Sequence, residues 1–195
     1  MQLSFRFQGA LCYAFSLHIE QSRKGTDPSI PYISHLLAVA SIVLDNGGDE
    51  DEAIAALLHD AVEDQGGEPT LFKIVQMFGN NVAEIVEGCT DTYTNPKPPW
   101  KERKVQHLAK LQTAPPSVIL VSLADKLHNA SSVLLDYQKY GEDIWDRFNG
   151  GKSGTLWHHR ELLNIFQKRS LFPALTSQYQ NVVEKLLSVT GDQED

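Results

Sequence analysis

The chain has 195 residues, 42% apolar and 22% charged, enough to bury one sizeable core. Its 17 Lys and Arg against 25 Asp and Glu leave a formal charge of −8, which excludes the basic excess of a general nucleic-acid binder. Any anionic ligand must be held by a local cationic cluster. The apolar run Ser117–Ala124 falls far short of the ~20 residues that span a bilayer, so no membrane segment is expected. Cys12 and Cys89 lack paired spacing, which argues against a disulfide framework or cysteine zinc site and for a cytoplasmic protein.

Gly9–Leu17 is apolar, but no basic lead precedes it and no small-residue cleavage site follows, which argues against a signal peptide. Phe7, Leu11, Ala14, Phe15 and His18 recur at helical spacing and predict a first helix over Phe5–Lys24. The same period predicts helices over Ser34–Asn46, Glu50–Asp64, Thr70–Met77, Asn80–Thr90, Trp100–Thr113, Ser117–Tyr140, Leu156–Gln167 and Pro173–Val189. Breaks fall at Gly25, Pro28 and Pro31, at Gly47-Gly48, Gly66-Gly67, Asn95-Pro96, Pro115-Pro116 and Gly150-Gly151. Val118–Val121 has strand-like composition, yet Leu123, Ala124, Leu127, Ala130 and Leu134 continue it at helical period. The acidic tail Gly191–Asp195 is expected to fray. The expectation is an all-α, single-domain fold with its core over about residues 5–140.

The chemistry concentrates in Ala55–Asp64, where an apolar helix ends in His59, Asp60, Glu63 and Asp64. Acidic groups at a helix C-terminus oppose its dipole, so a capping role is disfavoured. On one continuous helix His59 would stack with Glu63, and Asp60 with Glu63 and Asp64. His59 and Asp60, about 100° apart around the axis, can reach one ion. His35, at the start of the preceding helix, can pack beside them. Asp125 interrupts a strongly apolar helix, where a charge is costly unless paired or bound to metal. His35, His59, Asp60 and Asp125 would form a mixed nitrogen and oxygen set for Mn²⁺, Fe²⁺ or Zn²⁺.

With Arg23-Lys24 before Pro31–His35, then Ala55–Asp64, Phe78-Gly79, Thr90-Asp91 and Leu123–Asn129 in order, the chain resembles the HD-domain metal-dependent phosphohydrolases. More narrowly it is similar to the alarmone (p)ppGpp hydrolases, that is, the hydrolase domain of RelA/SpoT homologues and the small alarmone hydrolases. The resemblance implies a compact multi-helix bundle and one divalent ion, commonly Mn²⁺, on His35, His59, Asp60 and Asp125. It implies Glu63 and Asp64 as the catalytic acidic pair, Arg23 and Lys24 on substrate phosphate, and Asn129 near the nucleoside. The implied reaction removes pyrophosphate from the ribose 3′ position. An HD-type phosphatase on another nucleotide, or an alarmone sensor without turnover, are the alternatives.

Two departures stand out. Gln65-Gly66-Gly67 follows Asp64 where the family often has Thr, and residues 141–190 do not align with the long hydrolases. That segment is expected to form a wall or lid, with Lys152 as a phosphate contact by composition alone. Gly150–Ser153 fails as a phosphate loop, since no strand precedes it. His18 is expected to be structural, His107 and His128 to be surface or packing residues, and His158-His159 to pack or stack on substrate. Trp100, Trp145 and Trp157 read as core or wall, and Lys97, Lys101, Arg103 and Lys104 as a solvated face.

Overall fold

The computed structural model describes residues 2–24, 30–94 and 96–191. Gly25, Pro28, Asn95 and the tail 192–195, assigned above to breaks and fraying, lie outside the described residues. The chain is all-α: α1 Phe5–Leu17, α2 Ile33–Asp45, α3 Glu50–Leu58, α4 Ala61–Asp64, α5 Glu68–Phe78, α6 Asn80–Cys89, α7 Trp100–Leu111, α8 Pro116–Tyr140, α9 Gly151–Arg169 and α10 Pro173–Val189, with a 3₁₀ segment Gly141–Arg147 between α8 and α9. Local signals start these helices. Ser4 accepts the amide of Arg6 before α1, and Asp49 with Glu52 forms a reciprocal capping box before α3. Proline in the first turn opens α5, α8 and α10.

Helix α8 is the axis of the fold and packs against α2, α3, α6, α9 and α10. Ile119, Leu120 and Leu123 are fully buried on it, among Leu36, Leu57, Phe166 and Tyr179 from its neighbours. Residues 116–147 are long and apolar enough to cross a membrane by length and composition, with a mean hydropathy of 1.3 over the best window. The apolar segment therefore extends well beyond Ser117–Ala124. Two-thirds of that window is buried inside the protein (67%), as befits the core helix of this bundle.

The boundaries differ from expectation in three places. α1 stops at Leu17 rather than Lys24, because His18 turns inward onto Gln21 (Nδ1–Oε1 2.7 Å). Residues 21–23 then pair with 30–32 through Arg23 N to Ile30 O (2.8 Å) and Tyr32 N to Gln21 O (2.9 Å). The predicted helix Glu50–Asp64 loosens at Asp60, whose φ of −98° and ψ of −4° place it in the bridge region, so a four-residue turn carries Glu63 and Asp64. Finally, α9 begins at Gly151, five residues before the predicted Leu156.

The last difference has a packing cause. A Cβ on Gly150 would stand 2.6 Å from the Trp100 ring, and one on Gly154 would stand 3.1 Å from it. These glycines let the indole of α7 lie against the start of α9. Overpacking of this kind costs about 1–3 kcal/mol. Gly150→Ala is expected to lower Tm by about 2–4 °C for each kcal/mol lost, as read by thermal denaturation.

Candidate metal centre

Four side chains converge where the start of α2, the end of α3 and the middle of α8 meet. His35 Nε2 lies 3.3 Å from His59 Nε2 and 3.2 Å from Asp125 Oδ1. Asp60 Oδ2 lies 3.0 Å from His59 Nε2 and 3.6 Å from His35 Nε2. The ligand atoms of His35, His59 and Asp125 all fall within 4.8 Å of one another. Metal–ligand bonds of about 2.1 Å place neighbouring donors roughly 3.0–3.4 Å apart, so these spacings suit one shared cation.

The imidazoles are held with Nε2 turned inward. His59 Nδ1 lies 2.8 Å from the carbonyl of Ala56 and donates to it, so in the neutral ring Nε2 is the bare nitrogen. His35 Nδ1 lies 2.8 Å from His128 Nδ1. Asp60 Oδ2 accepts the Tyr32 hydroxyl at 2.5 Å. Asp125 uses its second oxygen on Lys126 Nζ at 2.6 Å, while Asn129 Nδ2 donates to Oδ1 at 2.5 Å. The Asp125–Lys126 pair is thus an outer support for the oxygen that faces the imidazoles.

Burial opposes charge throughout this cluster, yet neighbours outweigh it. Burial lowers the His59 pKa, but Asp60 and Asp125 raise it well above the ordinary value. Burial raises the carboxyls of Asp60 and Asp125, but His59 and His35 beside the first, and Lys126 and the imidazoles beside the second, hold both well below the carboxylate range. Burial, with Asp60 adjacent, keeps the Tyr32 phenol protonated. Burial pushes His128 down to about 4, helped by His35 and Arg23. Asp125, which is buried, and Asp60, which is partly exposed, flank the two imidazoles, and a cation between them would offset both carboxylate charges. The donor set, the inward nitrogens and the electrostatics all fit a divalent ion.

The remaining predicted residues fall at different distances from this centre. Arg23 donates to Asn129 Oδ1 at 3.1 Å, so both stand at its rim. Lys24 is exposed. Glu63 faces Lys97 at 3.2 Å and Arg103 at 3.5 Å. Asp64 accepts from Gln21 at 2.8 Å and borders a groove of about 540 Å³ lined also by Leu17, Ile19 and Gln65. Lys152 sits in a surface pair with Glu142 at 2.8 Å, and no contact among the described residues joins it to the imidazole cluster.

Two side-chain expectations change. Lys97, Lys101, Arg103 and Lys104 do not form a purely solvated face, because buried Asp91 draws in Arg103 (2.7 Å) and Lys104 (2.8 Å). His128 does more than pack, since its ring meets that of His35. By contrast, His18 is buried and stacks on Tyr32 at 5.1 Å between ring centroids, a structural placement. His107 is buried among Lys126, Lys104 and Asp91, and its pKa falls to about 3, chiefly through desolvation. Sequence reasoning overlooked Tyr32, Lys126 and His128 as partners of the cluster. Tyr32 precedes His35 by three residues and His128 follows Asp125 by three, which is the spacing of helix neighbours.

An all-helical bundle with two histidines and two aspartates gathered at a helix junction defines a protein built to hold a divalent metal. The HD domain family matches residues 10–156, and the chain belongs to that family. A relative from Xenopus tropicalis named guanosine-3′,5′-bis(diphosphate) 3′-pyrophosphohydrolase MESH1 is 41% identical over 120 residues, covering 60% of this chain and 63% of its own. A Synechocystis relative named probable guanosine-3′,5′-bis(diphosphate) 3′-pyrophosphohydrolase is 37% identical over 123 residues, which are 62% of this chain but 16% of that one. A solved structure described as a metazoan orthologue of SpoT that hydrolyses ppGpp shares the fold with a TM-score of 0.76, at 24% identity and 99% coverage of both chains.

Proposed function

We propose that the chain is a metal-dependent hydrolase of (p)ppGpp that releases pyrophosphate from the ribose 3′ position and leaves GDP or GTP. The observation that carries this reading is the convergence of His35 and His59 Nε2 with Asp60 Oδ2 and Asp125 Oδ1 within 3.0–3.6 Å across the measured pairs. The names of the Xenopus and Synechocystis relatives supply the substrate. In this reading the four side chains hold one ion, Mn²⁺ first and Fe²⁺ or Zn²⁺ as alternatives. When bound, such an ion acidifies a water molecule and offsets developing phosphoryl charge.

The chain's own groups do the rest. Glu63, one turn beyond Asp60, accepts the proton of the attacking water, with Asp64 beside it. Arg23 and Lys24 hold substrate phosphate, and Asn129 orients the nucleoside end. The bond from phosphorus to the 3′ oxygen breaks as the new phosphorus–oxygen bond forms, and the 3′ oxygen takes a proton. Residues 141–190 serve as a wall within one domain, because Leu162, Phe166 and Val183 join the same core as α1–α8. Lys152 remains a candidate phosphate contact only if its pair with Glu142 opens. A cytoplasmic setting suits a soluble nucleotide substrate.

Incubation of the protein with ppGpp and Mn²⁺, followed by ³¹P NMR, tests this reading. One pyrophosphate per ppGpp supports it. Orthophosphate from other nucleotides, with ppGpp untouched, replaces it by a phosphatase of different specificity. Binding without release makes the protein a sensor, against which the Glu63–Asp64 pair speaks.

Metal binding must also displace any proton from His59. The flanking carboxylates raise that group's pKa in the metal-free protein, and ligation needs the neutral ring. Apparent metal affinity is therefore expected to fall as pH drops below the raised pKa, by about tenfold per pH unit for one proton released. Calorimetry in buffers of different ionisation enthalpy reads that proton directly.

A further inference from the structure

His59 and His35 face the same centre but come from opposite helix ends. The end of α3 exposes carbonyls without helical partners, so the Nδ1–H of His59 finds Ala56 O in its own helix. The start of α2 exposes amides instead. The Tyr32 carbonyl one turn before His35 is already taken by the His35 amide at 2.9 Å. His35 Nδ1 instead meets a side chain from another helix. It comes from α8: His128 Nδ1 stands 2.8 Å away, with the two ring centroids 4.9 Å apart.

We propose that His128 is a positioning residue for His35: by accepting its Nδ1–H, His128 holds the proton on that side of the ring and keeps Nε2 bare toward His59, Asp60 and Asp125. His128 then carries its own proton on Nε2. The same turn of α8 thus supplies a direct donor, Asp125, and the group that orients a second one. This inference rests on the metal site proposed above.

The test compares Mn²⁺ affinity of the wild-type chain, His128→Phe and His128→Asn, with a thermal melt of each. Phe keeps the ring volume without an acceptor, whereas the side-chain oxygen of Asn can take the place of Nδ1. Loss of an outer partner of this kind weakens metal binding about 10–100-fold. That loss is expected for His128→Phe, with most of the affinity restored in His128→Asn. Equal affinity in His128→Phe and wild type overturns the inference, and so does a His128→Asn variant as weak as His128→Phe. Failure of the wild-type chain to bind Mn²⁺ overturns the metal reading itself and this inference with it. Nitrogen-15 histidine spectra of the Zn²⁺-loaded wild-type chain need no variant. A proton on His35 Nδ1 and a bare His128 Nδ1 support the inference, and the reverse arrangement overturns it.

Discussion

Replacement of Asp60 by Ala is expected to abolish metal occupancy and turnover together. Asp60 Oδ2 is 3.0 Å from His59 Nε2 and 3.6 Å from His35 Nε2, so the substitution removes a donor and a negative charge from the shared centre. It also leaves the Tyr32 hydroxyl without its acceptor. Removal of a direct donor exceeds the ~10–100-fold loss that outer partners control. Elemental analysis of the desalted variant should find no stoichiometric ion, and hydrolysis should fall below detection. A variant that keeps a full equivalent of metal and turns over would remove Asp60 from the donor set.

Glu63→Gln is expected to separate the two properties. Among the described residues the Glu63 carboxylate pairs with Lys97 and Arg103 rather than with the inward atoms of His35, His59 or Asp125. Gln keeps the shape but cannot accept a proton at neutral pH. Metal affinity should stay near wild type while kcat falls about 10²–10⁴-fold, the range for loss of a positioned general base. Near wild-type turnover would refute the proton-transfer role. Parallel loss of metal would instead place Glu63 in the donor set.

The sequence discloses the helices well where apolar period and punctuation agree, as in α2, α6, α8 and α10. It does so less well where tertiary contacts intervene. The helical period of the first segment continues past Leu17, but the inward turn of His18 and the pairing of 21–23 with 30–32 stop α1 there. Gly150 and Gly154 look like loop residues until Trp100 is seen lying on them. The apolar period puts His59 and Asp60 on one continuous helix; the structure bends at Asp60, whose carboxylate lies beside the histidine pair, and a separate turn carries Glu63 and Asp64.

His35 and Asp125 were expected to join His59 and Asp60, and the structure gathers all four. The supporting contacts were harder to anticipate because they depend on which way each ring is turned. Helical spacing places Tyr32 near His35 and His128 near Asp125, but it does not say that Tyr32 reaches Asp60 or that His128 reaches back to α2. Arg103 and Lys104 carried no mark of burial, because Asp91, which pulls them inward, lies before α7 in the sequence.

Anomalous diffraction from crystals grown with excess Mn²⁺ bears most directly on the whole account. A single strong peak is predicted between the Nε2 atoms of His35 and His59 and the nearer carboxylate oxygens of Asp60 and Asp125. An ion bound elsewhere with these side chains unligated, or no peak at all in metal-replete crystals, would contradict it.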